Sequence, residues 1–257
     1  MKEHNRILDM GLFSAKTNIR ICDVCSSPIR NLFATKLGDG YLCANCRKNL
    51  SPYYTDLRRR TVDDVKMHLT YREDNKGAVD DFYVTKVLFL DRHEAGVITG
   101  SQLYLDEQHH KFLFSKNKSY KLNNPDVFDF KDIRSIKRDS ESSISSDSSL
   151  DIYEIKVSFG DFGECITESY ALEYSLPEEE FQYRGRITEA PSYKNFMEDI
   201  VYAENLFDPI ISAVTNNEPI DYTHTEMQKV RRTVCPNCGA ATAIRMNRLC
   251  EYCGISI

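Results

Sequence analysis

Apolar positions along this chain follow two periods: helical spacing in two stretches and alternation in most of the remainder. Residues 1–18 are a polar leader without strong periodicity. From Thr61 to about Val79, Val62, Val65, Leu69 and Arg72 trace a partial stripe with Met67 and His68 beside it, which predicts a helix. Thr61 is a good N-cap, and Asp63 and Asp64 fall in the first turn, where the helix dipole favours acids. Phe82–Leu90, rich in β-branched and aromatic residues, predicts a strand. Leu103–Leu105 and Lys111–Phe114 flank the polar Asp106–His110, the pattern of a hairpin. Val127–Lys137 carries Val127, Phe128, Phe130, Ile133 and Ile136, and its second half reads as a strand. Ile152, Ile155, Val157 and Phe159 mark another, and Tyr170–Leu176 a further one. Asp139–Asp151, dominated by serine and acid, has too little apolar content for a core and reads as a flexible loop. Pro191 and Ser192 precede a helical period over Tyr193–Thr215 with Phe196, Ile200, Ala203, Leu206, Phe207, Ile210, Ile211 and Val214 in register. Pro209 inside it is expected to kink or divide the helix. From about Asn216 a linker runs through Thr233.

Strands followed by a long helix place the chain in the α+β class. The boundaries read as 19–60, a linking helix at 61–79, a strand-rich domain at 80–218 and a terminal segment at 219–257. Charge adds an asymmetry. Residues 1–60 hold eleven Lys/Arg against five Asp/Glu, and residues 221–257 hold five against three. The intervening residues hold 17 against 31, within a total of -6. Basic ends can contact nucleic acid or dock on the acidic centre; a solvated surface with uneven charge is the plainest reading. No apolar run approaches the roughly 20 residues of a membrane helix, so no transmembrane segment is expected. Met1–Phe13 lacks a signal-peptide core, so a cytoplasmic location is expected. Thiols stay reduced there, and paired cysteines then read as metal ligands before disulfides.

Eight of the nine cysteines form four Cys-x-x-Cys pairs. Cys22 and Cys25 are followed, after seventeen residues, by Cys43 and Cys46. Cys235 and Cys238 are followed, after eleven, by Cys250 and Cys253. Two such tight turns brought together give the tetrahedral four-thiolate site that zinc prefers. Iron also binds four thiolates, but a closed site without an open position has no evident redox task, which favours zinc. Two structural Zn²⁺ per chain are expected. Gly239 and Gly254 follow the last cysteine of their pairs, where positive φ is needed, and Gly38-Asp39-Gly40 supplies a turn between the first two pairs. Arg47-Lys48-Asn49-Leu50 reads as the start of a short helix beside thiolates. Segments this short gain their stability from metal, on the order of 10–16 kcal/mol. Cys165 is unpaired and reads as a buried or inert thiol.

Residues Ile21–Tyr71 resemble a small bacterial zinc domain of unknown function common in Gram-positive genomes. The resemblance rests on Cys-Asp-Val-Cys, Lys-Leu-Gly-Asp-Gly-Tyr-Leu-Cys-Ala-Asn-Cys, Leu-Ser-Pro-Tyr-Tyr and the Thr-Val-Asp-Asp-Val-Lys helix, and implies a treble-clef fold. Leu-Tyr-Leu-Asp-Glu-Gln and Val-Phe-Asp-Phe-Lys-Asp-Ile-Arg-Ser-Ile resemble bacterial pleckstrin-homology-like domains, which implies a bent antiparallel sheet closed by a C-terminal helix. Cys-Pro-Asn-Cys-Gly-Ala and Leu-Cys-Glu-Tyr-Cys-Gly are similar to zinc ribbons. The resulting expectation is small zinc domains at both ends of that sheet domain.

No reaction follows from these resemblances. A P-loop, Gly-x-Gly-x-x-Gly and Gly-x-Ser-x-Gly are absent, and His68, His93, His109 and His110 read as packed or solvent-facing residues. The leading expectation is a non-enzymatic binding or scaffolding protein whose partner is another protein. The alternative is a nucleic-acid-binding zinc-finger protein acting through Arg30, Lys36, Arg47, Lys48 and Arg58–Arg60. The two-seventeen-two spacing resembles GATA-type fingers, but their Thr-Pro-Leu-Trp-Arg-Arg segment is missing and the chain has no tryptophan. Lipid-head-group binding by the central domain stands third, since only Lys116–Lys121 offers a local basic cluster in an acidic region. Oligomeric state is not readable from the sequence.

Overall fold

A computed structural model describes residues 19–30, 33–90, 97–99, 101–116, 119–142, 148–175, 191–222, 232–235, 237 and 241–243. The chain divides into two compact units, Met1–Glu73 and Asp74–Ile257.

The first unit is two small hairpins and a short helix. Strand β1 (Ile19–Ile21) pairs antiparallel with β2 (Pro28–Arg30), and β3 (Thr35–Lys36) pairs with β4 (Tyr41–Leu42). Helix α1 (Ala44–Lys48) follows. The β3–β4 turn is closed by the Leu37 amide donating to the Gly40 carbonyl at 2.8 Å. Gly40 is required by space: a Cβ there would lie 2.7 Å from both Asp23 Oδ2 and Val62 Cγ2. The apolar interior is small, with Ile29, Leu37, Leu42, Leu50, Tyr54 and Val65 buried.

Helix α2 (Val62–Asp81) begins where Thr61 and its acids predict. Thr61 Oγ1 accepts from the Asp64 amide and Asp64 Oδ2 accepts from the Thr61 amide, the reciprocal cap that satisfies two orphan donors. Asp39 Oδ1 takes the Val62 amide as well, at 2.8 Å. The buried face follows the predicted stripe only in part: its Val65 and Arg72 are inside, while its Val62 and Leu69 are half-buried. Val65, His68, Arg72, Asn75 and Val79 are buried, while Leu69 is half-buried and Met67 is 59% exposed. Three of the five buried positions are polar because each makes a specific contact. His68 Nε2 accepts from the Ser51 amide at 3.1 Å, and Arg72 Nε donates to the Asn49 carbonyl at 3.4 Å. Asn75 uses both ends of its amide. Nδ2 donates to Asn124 Oδ1 and the Pro125 carbonyl, and Oδ1 accepts from the Val127 amide.

The second unit holds two four-stranded antiparallel sheets. Strands β5 (Lys86–Leu88), β7 (Gln102–Asp106), β8 (Lys111–Ser115) and β9 (Val127–Asp129) form one, in that order. Strands β10 (Ile133–Ser142), β11 (Ser148–Phe159), β12 (Glu164–Ser175) and β6 (Val97–Thr99) form the other. The predicted hairpin over Leu103–Phe114 is present, paired Asp106↔Lys111 at its tip. The Phe82–Leu90 strand is shorter than expected: α2 runs to Asp81, and only Lys86–Leu88 pairs. The serine–acid run is corrected at both ends, while its residues 143–147 lie outside the described residues. β10 and β11 continue into it, pairing Asp139↔Ile152 through Ser142↔Ser149. Backbone ladder bonds are indifferent to side-chain polarity, so a hairpin can extend past its apolar part.

Helix α3 (Pro191–Asn216) starts with proline at its first position, where no amide is needed, and continues through Pro209 undivided. Phe196, Ile200, Ala203, Phe207 and Ile210 are fully or almost fully buried, at helical spacing. Phe207 meets Phe112 and Phe130 edge-on, and Phe196 meets Phe89, which stacks on Tyr170 at 3.9 Å. The helix touches Phe112 of the first sheet and, where Arg138 of β10 donates to Met197 Sδ, the second as well. Each fully buried aromatic or aliphatic side chain there is worth about 1.5–3 kcal/mol. The opposite face of β7–β8 is covered too: Tyr104 and Leu113 pack with Phe82, and Val84, Val87, Tyr120 and Val127 surround them. No helix among the described residues is long and apolar enough to cross a membrane.

Candidate metal centre

The turn between β1 and β2 carries the first thiol pair, and the start of α1 carries the second. The Ser26 amide donates to the Cys22 carbonyl at 2.8 Å and the Cys22 amide to the Ser27 carbonyl at 2.9 Å, which curls the chain around the thiols. Closing this turn puts Ser26 at φ 60, a left-handed residue without glycine. Asp23 docks the turn on β4: its amide donates to the Tyr41 carbonyl, and its Oδ2 accepts from the Tyr41 amide at 2.7 Å. At the second pair Cys43 is the N-cap of α1, with its Sγ accepting from the Cys46 amide.

These turns bring Cys22, Cys25, Cys43 and Cys46 together, with all four Sγ atoms within 4.8 Å of one another. The Cys25 and Cys43 sulfurs are 3.6 Å apart. Metal–sulfur bonds of about 2.3 Å in a tetrahedron give an edge of about 3.8 Å, so the donor set fits zinc. The backbone fits it as well. The Cys43 amide points at Cys22 Sγ at 3.3 Å and the Cys46 amide at Cys43 Sγ at 3.4 Å, bonds that stabilise thiolate over thiol. Cys22, Cys43 and Cys46 are buried and Cys25 is exposed. The hydroxyl and amide of Ser27 hold Cys25 down to about 6, against a smaller opposing effect of burial; the hydroxyl lies 3.3 Å from its sulfur. Burial, with the neighbouring thiols, pushes Cys46 up. A bound dication would offset part of that penalty, since it halves the charge of four thiolates.

In the same unit, His68 stacks on Tyr54 with ring centroids 4.0 Å apart. Because its Nε2 accepts a backbone amide, the ring is neutral with its proton on Nδ1. Burial, then the charges of Arg72 and Arg60, pull its pKa down to about 4. Sequence reasoning grouped the four clustered cysteines and named His68 as a packed or solvent-facing residue, but did not find Asp23, Ser27 or the amide that His68 accepts. An Asp inside the first pair and a Ser just after it were the readable signals for two of them; His68 carried none.

Of the second quartet, Cys235 is buried at the end of β13 (Arg232–Val234), which pairs with β14 (Ala241–Ala243). Cys238, Cys250 and Cys253 lie outside the described residues, as do Gly239 and Gly254. Cys165 is exposed. His109 is not merely solvent-facing: its Nδ1 sits 2.7 Å from the fully buried Asp106 carboxylate, which also accepts the amides of His109 and Tyr83. Burial alone would raise Asp106, but these bonds outweigh it and hold the carboxyl below its ordinary range. His110, at φ 54, stacks on Tyr222. Both histidines thus serve the hairpin tip.

Residues 21–68 match a family model described as a domain of unknown function, DUF4428. No curated protein and no solved structure matches the chain. The matched segment contains all four clustered cysteines and ends on His68.

Proposed function

We propose that this chain is a non-enzymatic, zinc-containing binding or scaffolding protein that acts through protein–protein contacts. The observation that carries the reading is the closed donor set. Four thiolates complete a tetrahedral ion's shell, and a metal with no open position organises the fold rather than activating water or substrate. A turn bearing two cysteines, then a hairpin, then a helix whose cap and first turn bear two more supports a treble clef for the first unit. Two antiparallel four-stranded sheets closed by α3 support a pleckstrin-homology-like reading of the central domain. Buried Cys235 beside a two-stranded hairpin supports a second zinc in a C-terminal ribbon. Reduced, metal-bound thiols suit a cytoplasmic location.

The test is affinity purification of the full chain from its host, with crosslinking and mass spectrometry. A stoichiometric protein partner is expected. Recovery of nucleic acid alone, or turnover of a substrate without any stable partner, would refute the reading.

A further inference from the structure

The first unit contains a second feature, an open groove of about 900 Å³. Lys36 of β3, Arg47 of α1, and Arg58 and Arg59 of the segment leading to α2 line it, against a single acid, Asp56. All four cations are exposed, and none of their side chains forms an ion pair among the described residues. The floor is apolar, with Leu50 and Tyr54 buried and Leu57 half-buried.

The cations sit on a fixed frame. Asp56 is left-handed at φ 53, and its carbonyl accepts the Arg59 amide at 2.8 Å, closing a single 3₁₀ turn over Leu57–Arg59. The end of that turn is tied to the zinc-held hairpin, because the Gly38 amide donates to the Arg60 carbonyl at 2.7 Å. A Cβ at Gly38 would lie 3.2 Å from that same oxygen. A backbone ordered before binding loses less entropy on binding.

The geometry points to this groove as the docking site for an acidic, extended peptide segment of a partner protein, with one apolar side chain on the Leu50–Leu57 floor. The inference rests on the protein-binding reading above and adds the site and the partner's chemistry. Four cations against one acid select a polyanion by charge complementarity. The floor then favours peptide over nucleic acid. Stacking a base needs an exposed aromatic face, and Tyr54 is buried against His68. Reading a duplex needs an element that enters its groove. Here α1 has five residues, and the first turn of α2 presents Asp63 and Asp64.

The test uses the full zinc-loaded chain and a fluorescein-labelled peptide of alternating Glu and Leu, read by anisotropy at low salt. Binding is expected, weakening at least tenfold in R58E/R59E and in the separate variant K36E, and unchanged in K116E, an exposed cation of the other unit. Zinc content of each variant checks that the frame is intact, and K36E carries the test if R58E/R59E loses metal. Replacing Leu by Ser in the peptide should weaken binding about tenfold, the effect of losing one buried apolar side chain. A labelled single-stranded oligonucleotide of equal charge is the competing probe. Tighter binding of the oligonucleotide, lost in the same variants, overturns the inference in favour of nucleic acid. Equal binding of the peptide to K36E and the parent chain overturns it as a site. If neither probe binds while affinity purification still returns a protein partner, the groove fails and the wider reading stands.

Discussion

At the scale of single residues, the four-cysteine unit depends on a few side chains with no substitute. Replacing Cys22 or Cys43 by Ser removes a ligand that is also buried and hydrogen-bonded by a backbone amide or holds one. Metal analysis should then show one equivalent less than the parent chain, with loss of the hairpin amide signals. Ser26 at φ 60 is strained in a way glycine is not. S26G should be neutral to about 1 kcal/mol stabilising in a denaturant titration that follows the first unit. His68 supplies a pH dependence. Its pKa is about 4 when folded and 6.5 ordinarily, so between those values the unfolded chain binds a proton that the folded unit refuses. Stability must therefore fall as pH drops from about 6.5 toward 4 and level off below, by up to about 3 kcal/mol. Thiolates of the centre titrate in overlapping ranges, so the measurement is the difference between the parent chain and H68Q. A difference that stays flat across the window would exclude His68 as its source.

At the scale of elements, α2 shows most clearly what the sequence discloses and what it conceals. Its start was legible, because Thr61, Asp63 and Asp64 act locally and caps are written in consecutive residues. Its buried face was legible only in part, through Val65 and Arg72. His68, Arg72 and Asn75 are inside for the sake of Asn49, Ser51, Asn124, Pro125 and Val127, partners remote in the chain that no periodicity can reveal. N75A should cost about 2–4 kcal/mol by thermal unfolding, since it leaves a buried carbonyl and amide without partners. D39A, which removes only the distant acceptor for the Val62 amide, should cost about 1 kcal/mol, a typical cap effect. The four thiol ligands were legible for the same reason as the cap: metal chemistry fixes their spacing. The β7–β8 hairpin was legible through its polar tip between apolar runs. The extension of β10 and β11 into serine and acid was hidden, since ladder bonds leave no mark on composition.

At the scale of the whole molecule, the two units rest on different sources of order. The second buries aromatic side chains between sheets and α3; the first, among the described residues, buries six apolar residues besides its thiols, and its four clustered cysteines are its further source of order. Chelation should therefore act selectively. In hydrogen exchange, amides of β3, β4 and α1 should lose protection on metal removal, while those of Leu103–Leu105 and Phe112–Phe114 keep it. Uniform loss across both units would contradict this division. The helix α2 adds a consequence for truncation. The recognisable family segment ends at residue 68 and the compact unit at Glu73, both inside one continuous helix that ends only at Asp81. A fragment cut at that family border would keep only about two turns of α2, a length that does not hold as a helix in water without packing.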